Sequence, residues 1–266
     1  MLHSIFQVSQ LLVWFRVSTG NIQNQFIQKV RRRMNLFTRY LLVIVCSFCT
    51  VTAIQAQDTD SGAWYMYFGN NRIGNNLYWH NEIQYRNHNW GGDLEQLLLR
   101  TGLGMNLSEN NNTLLLGYGY IVSQPYHQNE KSEILEHRIF QQFINKDNLG
   151  RVAIQNRYRL EERFVADDYK MRFRYFMGFN IPVSQKRMGP QILYLSLYNE
   201  IFLNLNTPVF DRNRAYGALG YTINNHLKVE AGYMLQLYDN NHRGQFQLAL
   251  FNSTPLVKKD RSETGR

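Results

Sequence analysis

The chain has 266 residues, 44% hydrophobic and 18% charged, with 29 Lys and Arg, 20 Asp and Glu, and two cysteines. Six of the basic residues and none of the acidic ones fall within the first 56, so the remaining 210 residues carry only +3 of the chain's +9. That near-neutral remainder excludes a nucleic-acid partner argued from charge, and its length fits one domain.

The first 56 residues place Arg16, Lys29, Arg31, Arg32, Arg33 and Arg39 ahead of an apolar stretch at 40–54. This is the order of a secretory signal, with cleavage expected after Ala56. Met34 opens a conventional signal peptide by itself, so residues 1–33 read as an over-extended gene start. Ser47, Thr50 and Thr52 break the apolar run, which falls short of the roughly 18 residues that a helical span needs. Cys46 and Cys49 both lie in the leader, without a convincing lipoprotein pattern around them. The exported domain, residues 57–266, is therefore expected to have no thiol or disulfide, and hydrogen bonding must hold it in an oxidising compartment.

From Trp64 to Phe251, strand-like runs of about nine to twelve residues follow one another with almost nothing of helical period. The predicted outward residues are Trp64, Met66 and Phe68; Leu77, Trp79, Ile83 and Tyr85; Leu97, Leu99, Leu103 and Met105; and Leu114, Leu116, Tyr118 and Tyr120. Later rows are Leu193, Leu195, Leu197, Ile201 and Leu203; Leu227, Val229, Tyr233, Leu235 and Leu237; and Phe246, Leu248 and Leu250. The opposite faces carry His80, Glu82, Gln84 and Arg86, or Tyr194, Ser196, Tyr198 and Glu200. Asn-rich turns separate the runs at Asn70-Asn71, Asn110-Asn111-Asn112, Asp147-Asn148, Asn224-Asn225 and Asp239-Asn240-Asn241. All five prolines stay out of strand interiors.

Period-two alternation is clearest in the hairpin at 157–176. Tyr158, Leu160, Phe164, Met171, Phe173 and Tyr175 lie on one face, and Arg157, Arg159, Glu161, Arg163, Lys170, Arg172 and Arg174 on the other. Strands of this length match a tilted membrane strand better than the five or six residues of an ordinary sandwich. The expected fold is all-β: an antiparallel up-and-down transmembrane β-barrel of about 10–12 strands with a polar, charged interior. Eleven runs can be counted, but single-chain bacterial outer-membrane barrels have even strand numbers, so ten or twelve is expected. Alternation alone does not tell inside from outside. A soluble periplasmic lipocalin-like barrel with its apolar face inward and an apolar ligand is the alternative. Asn81, His137, Gln141, Asn156 and Asn199, all on the expected lipid face, favour it.

Closing the hairpin near Asp167 puts Arg163 opposite Lys170, Glu161 opposite Arg172 and Arg159 opposite Arg174. Like charges opposite one another need neutralising neighbours. A preceding hairpin closed between Phe143 and Val152 would set Glu136 beside Arg159 and Arg138 beside Arg157. The candidate site is therefore a lumen charge lattice of Glu136, Arg138, Arg157, Arg159, Glu161, Arg163, Lys170, Arg172 and Arg174. Arg86, Arg100, Arg214 and Lys228 bring the predicted inner face to 11 cations, against Glu82, Glu136, Glu161, Glu200 and Glu230. Such a lumen is either a salt-bridged plug or an anion-preferring pore or binding cavity.

An outer-membrane lipid-modifying enzyme or protease would need a nucleophile, base and orienter at one rim. His80, His88, His127, His137, His226 and His242 are scattered, and the Gly-x-Ser-x-Gly run is absent from the sequence. His80 with Glu82 reads as a structural pair. No catalytic residue, metal-ligand spacing or cofactor motif is assigned, and the chain is not expected to be an enzyme. The basic tail at Lys258, Lys259 and Arg261 reads as a solvated terminus.

Several blocks carry a resemblance: 58–64 (Asp-Thr-Asp-Ser-Gly-Ala-Trp), 93–102 around Leu97-Leu98-Leu99-Arg100, and Glu136-His137-Arg138-Ile139-Phe140. Arg157-Tyr158-Arg159-Leu160-Glu161-Glu162-Arg163-Phe164, Phe210-Asp211-Arg212-Asn213-Arg214 and Tyr216-Gly217-Ala218-Leu219-Gly220-Tyr221 extend it. Together they resemble the domain of unknown function 2490 family, uncharacterised Gram-negative proteins grouped with outer-membrane β-barrels. The resemblance implies an exported barrel and supplies no activity or site residues. The expected location is the outer membrane, and the expected partners are its lipid, the barrel-assembly machinery and a small anionic solute. Outer-membrane barrels usually finish at an aromatic residue, whereas here fifteen residues follow Phe251.

Overall fold

The structure is a computed structural model and describes residues 61–108 and 111–257. The expected signal peptide, its cleavage site, the start at Met34 and the tail at Lys258, Lys259 and Arg261 lie outside the described residues. The strands in chain order are β1 (Gly62–Arg72), β2 (Leu77–Asn87), β3 (Leu94–Asn106), β4 (Asn112–Ser123), β5 (Tyr126–His127), β6 (Glu130–Lys131) and β7 (Ile134–Leu149). They continue as β8 (Val152–Val165), β9 (Asp168–Pro182), β10 (Leu193–Asn204), β11 (Phe210–Thr222), β12 (Leu227–Leu237) and β13 (His242–Asn252).

Eleven of these close a barrel in the order β1-β13-β12-β11-β10-β9-β8-β7-β4-β3-β2, while β5 and β6 form a small separate hairpin in the β4–β7 connection. Each neighbouring pair is antiparallel except β1 with β13, which run parallel from Gly62↔Gln245 to Gly69↔Asn252. The expectation of an even count is thereby corrected. Strand number is odd because the seam is parallel, and a parallel pair closes the ladder as completely as an antiparallel one. It also puts the start of β1 and the end of β13 at opposite ends of the barrel. We call the end bearing the β8–β9 turn the lower end, and the end bearing the β7–β8 and β11–β12 turns the upper end.

The apolar face is outside. Ile83, Leu103, Leu116 and Leu219 are 50–63% exposed, whereas His80, Glu82, Arg138, Arg159, Glu161 and Arg174 are buried within the barrel. This sidedness is the reverse of the apolar-inward arrangement that the lipocalin-like alternative needs. One predicted strand face is also corrected: Trp64, Met66 and Phe68 point inward. Their register settles it, since they pair with Arg86, Gln84 and Glu82 of the inner face of β2. Because β1 is apolar on both faces, alternation alone could not orient it.

The hairpin at 157–176 has the expected pairs Arg163↔Lys170, Glu161↔Arg172 and Arg159↔Arg174. Its turn is only Ala166-Asp167, with Ala166 at φ 50°. The preceding hairpin differs from expectation. Both strands run on to Leu149↔Val152 and turn at Gly150, whose φ of 62° suits glycine. Glu136 therefore lies opposite Val165, Arg138 opposite Arg163 and Gln142 opposite Arg159. Inward glycines make room for aromatic rings: a Cβ on Gly104 would overlap Tyr78, and one on Gly220 would overlap Tyr194. Each such ring covers the glycine opposite it on the neighbouring strand, Tyr78↔Gly104 and Tyr194↔Gly220.

The parallel seam is directly testable in a background with Cys46 and Cys49 replaced by Ser. The pair Tyr67→Cys with Leu250→Cys, direct partners across the seam, should form an intramolecular disulfide visible by non-reducing electrophoresis. Tyr67→Cys with Phe246→Cys, displaced by four residues or about 13 Å, should not.

Candidate functional site

The interior is built by five carboxylates set among arginines. Glu161, with its side chain 0% exposed, accepts from Arg174 Nη1 at 2.6 Å, from Arg172 Nη2 at 2.8 Å and Nε at 3.1 Å, and from Arg138 Nη1 at 3.4 Å. Arg159 Nη1 stands 3.6 Å away. Glu136 takes both Nε and Nη2 of Arg163, at 2.7 and 2.9 Å, together with Arg138 Nη2 at 2.6 Å. Glu200 Oε1 accepts from Arg157 Nη2 and Arg174 Nη2, each at 2.7 Å. The facing like pairs Arg159↔Arg174 and Arg138↔Arg163 persist because diagonal glutamates neutralise them.

Two further carboxylates enter by a different route. The ladder slips between Phe202 and Leu203, leaving Asp211 as an extra residue beside Arg212; its Oδ2 accepts from Arg172 Nη1 at 2.8 Å. The β2–β3 ladder slips between Arg86 and Asn87, leaving Glu95 extra, and its Oε1 accepts from Arg243 Nη1 at 2.8 Å. A bulge adds one residue and re-aims a side chain that strict alternation would send outward. Neither acid was among the predicted inner residues, nor were Arg72, Lys146, Arg212 and Arg243. The only sequence signal was two acids beside inward Gln96 and Arg212, which alternation reads as outward.

Of the predicted lattice, Glu136, Arg138, Arg159, Glu161, Arg172 and Arg174 come together as buried groups, with Arg157 and Arg163 at their margins. Lys170 is corrected. Its side chain is 51% exposed at the lower end and its ion pair is with Asp168, 3.2 Å away, because it follows the tight β8–β9 turn by only three residues. His80 is engaged on both ring nitrogens, by Asn70 Oδ1 at 2.8 Å and Glu82 Oε2 at 3.4 Å, while Glu82 also accepts from Arg100 Nη1 at 2.6 Å. Among the described residues, no three His, Cys, Asp or Glu side chains converge as a metal site.

Above this layer lies a cavity of about 560 Å³ that reaches Asn224, Asn225 and His226 at the upper end. Its lining takes in Arg157, Arg159 and Arg174 but does not extend to Glu136, Glu161, Arg163 or Asp211. The lower interior is thus occupied by interlocked ion pairs and the upper interior is an open cup. Aromatic faces carry some of the cations: Arg86 and Arg214 lie 3.7 and 5.0 Å from the Trp64 ring, and Arg157 lies 4.6 Å from that of Phe176.

The class is therefore a closed all-β barrel with an apolar exterior and an arginine- and glutamate-lined lumen. The family described as Protein of unknown function (DUF2490) matches residues 61–247, and the chain belongs to it. No curated protein and no solved structure matches the chain.

Glu161→Gln would leave Arg138, Arg172 and Arg174 around a neutral amide. Breaking a buried ion pair from one side costs about 3–5 kcal/mol, so the urea midpoint of the refolded barrel should fall markedly. Lys170→Gln, at an exposed pair worth at most about 1 kcal/mol, should leave it nearly unchanged.

Proposed function

We propose that this protein is an outer-membrane β-barrel whose lumen is a cup for an anionic solute, closed on one side by its own salt bridges. The observation that carries the membrane part is the outer face itself. Every outward polar residue that argued for a soluble barrel has a partner on the same face. Asn81 Nδ2 donates to Asn71 Oδ1 at 2.9 Å, and Tyr118 Oη lies 2.6 Å from His137 Nδ1. Gln141 Nε2 donates to Glu162 Oε1 at 3.1 Å, and Tyr175 Oη to Asn156 Oδ1 at 2.9 Å. Asn199 and Asn213 exchange donors at 2.8 and 3.1 Å. In water such pairing brings little. In hydrocarbon an unpaired polar group costs several kcal/mol, so mutual satisfaction is what a lipid-facing surface requires.

Dimensions agree. Strands of 11 to 13 residues, as in β1 to β4, rise about 3.3 Å per residue and at a tilt near 40° would cross roughly 28–33 Å, enough to span the roughly 25 Å apolar band of outer-membrane barrels. Outward aromatics stand near both ends: Trp79 and Tyr221 at the upper, Tyr85, Phe164 and Tyr169 at the lower. The cup is read as a binding cavity because its cations outnumber its carboxylates. The salt-bridged lower layer supports binding over passage. His80, held by Asn70 and Glu82, is read as structural, and the protein as a non-enzymatic barrel.

Membrane fractionation with heat-modifiable electrophoretic migration tests the location; recovery as a soluble periplasmic protein would overturn it. Ile83→Arg gives an independent check at a mid-strand outward position that is 50% exposed. In a lipid-facing site the charge should cost about 2–4 kcal/mol of folding stability in bilayers, whereas on a water-facing surface the change should be near neutral.

A further inference from the structure

The carboxylates are unevenly distributed along the barrel axis. In the lower layer Arg138, Arg163, Arg172, Arg212 and Arg243 meet Glu136, Glu161, Asp211 and Glu95, so charge nearly cancels. The cup is lined by nine Arg and Lys side chains and only three carboxylates, Glu82, Glu200 and Glu230. All three already face a cation within the protein: Arg100 for Glu82, Arg157 and Arg174 for Glu200, and Lys228 for Glu230 at 3.9 Å.

At the inner limit of the cup, Arg159 is 2% exposed, and the like charges acting on it are Arg157, Arg174 and Arg100. Its Nε donates to Gln142 at 2.8 Å, and its buried Nη1 stands 3.6 Å from the Glu161 carboxylate, beyond hydrogen-bond reach; the buried Nε atoms of Arg157 and Arg100 likewise have no hydrogen-bond acceptor. Buried charged donors without acceptors are costly and uncommon. These three guanidiniums line one cavity in which cations outnumber carboxylates, and such a group of donors is matched by a tetrahedral oxyanion, whose several oxygens accept from separate donors while its double charge answers the local excess. A carboxylate offers two oxygens and one charge. The cavity is of a size that takes small organic ligands, well beyond a bare ion, and Asn70, Asn180, Asn252, Ser196 and Thr222 provide amides and hydroxyls along its upper wall.

We infer that the cup binds a phosphate monoester of a small polyhydroxyl compound, with the phosphate on Arg100, Arg157 and Arg159 and the body toward the upper rim. This rests on the anion-cup reading and names its ligand class; it does not depend on the location of the barrel.

The test is calorimetric titration of the refolded full barrel with glucose 6-phosphate, inorganic phosphate, glucose and citrate. Glucose 6-phosphate should bind at least tenfold more tightly than inorganic phosphate or citrate, with glucose alone inert. Arg159→Gln and the more peripheral Arg157→Gln should each weaken it at least tenfold, while Arg212→Gln in the lower layer should not; intact heat-modifiable migration qualifies each variant as folded. Citrate binding as tightly as the phosphate ester, or folded Arg157 and Arg159 variants that retain wild-type affinity, would overturn the phosphate assignment and leave an anion cup standing. No binding of any of the three anions would overturn both.

Discussion

The parallel pairing of β1 with β13 is the contact on which the rest of the structure depends. Ten antiparallel hairpin-type pairings build a sheet, but only the seam removes its two edges. With the edges gone, strand N–H and C=O groups have partners within the barrel, and the exterior can be apolar without exposing a template for further pairing. Closure also forces every inward side chain into one confined volume. Charges that would be independent on an open sheet become neighbours that must neutralise one another.

Glu161 shows how that constraint is met. It sits on β8 between Arg138 of β7 and Arg172 and Arg174 of β9, and with Arg159 of its own strand four guanidiniums lie within 3.6 Å of it. No exposed surface could support such crowding by attraction alone, because water would screen each pair to a small fraction of its value. Inside the barrel the same charges are few in number but strongly coupled, and Arg172 and Arg174 serve as bridges from Glu161 to Asp211 and Glu200 respectively. The result is a network spanning β7 to β11, in which strand register and charge pairing reinforce one another.

How much of this could be read from the sequence follows from what period two encodes. Alternation reports faces, so the charged face of 157–176 and the outward rows from Leu77 onward could be assigned residue by residue. It does not report height along the barrel. Sliding β7 against β8 by an even number of residues keeps every face unchanged, which is why the inward face of the hairpin was readable while the neighbours across it, and the exposed height of Lys170, were not; the turn at Gly150 decided the register. β1 has apolar residues on both faces and so no signal to read. Bulges break the alternation rule itself, which hid Glu95 and Asp211. The seam joins residues about 180 positions apart, as in Gly62↔Gln245, and no local pattern announces a contact of that range. Strand parity therefore had to come from the structure.

The two bulges connect these observations. Both lie toward the lower end, and both turn an acid into the interior where arginines are already dense. Had alternation held there, Glu95 and Asp211 would have faced outward, where an acid is costly if lipid is the neighbour, and the lower layer would have lacked two of its four carboxylates. Comparable bulges are not found at the upper ends of those ladders, where Trp79↔Leu103 and Leu193↔Tyr221 continue in regular register. The barrel thus supplies its own counter-charge at one end and leaves cations in excess at the other. An interior of uniformly mixed charge would be filler. One that is neutralised below and electropositive above has a direction, and the proposed anion cup rests on that polarity.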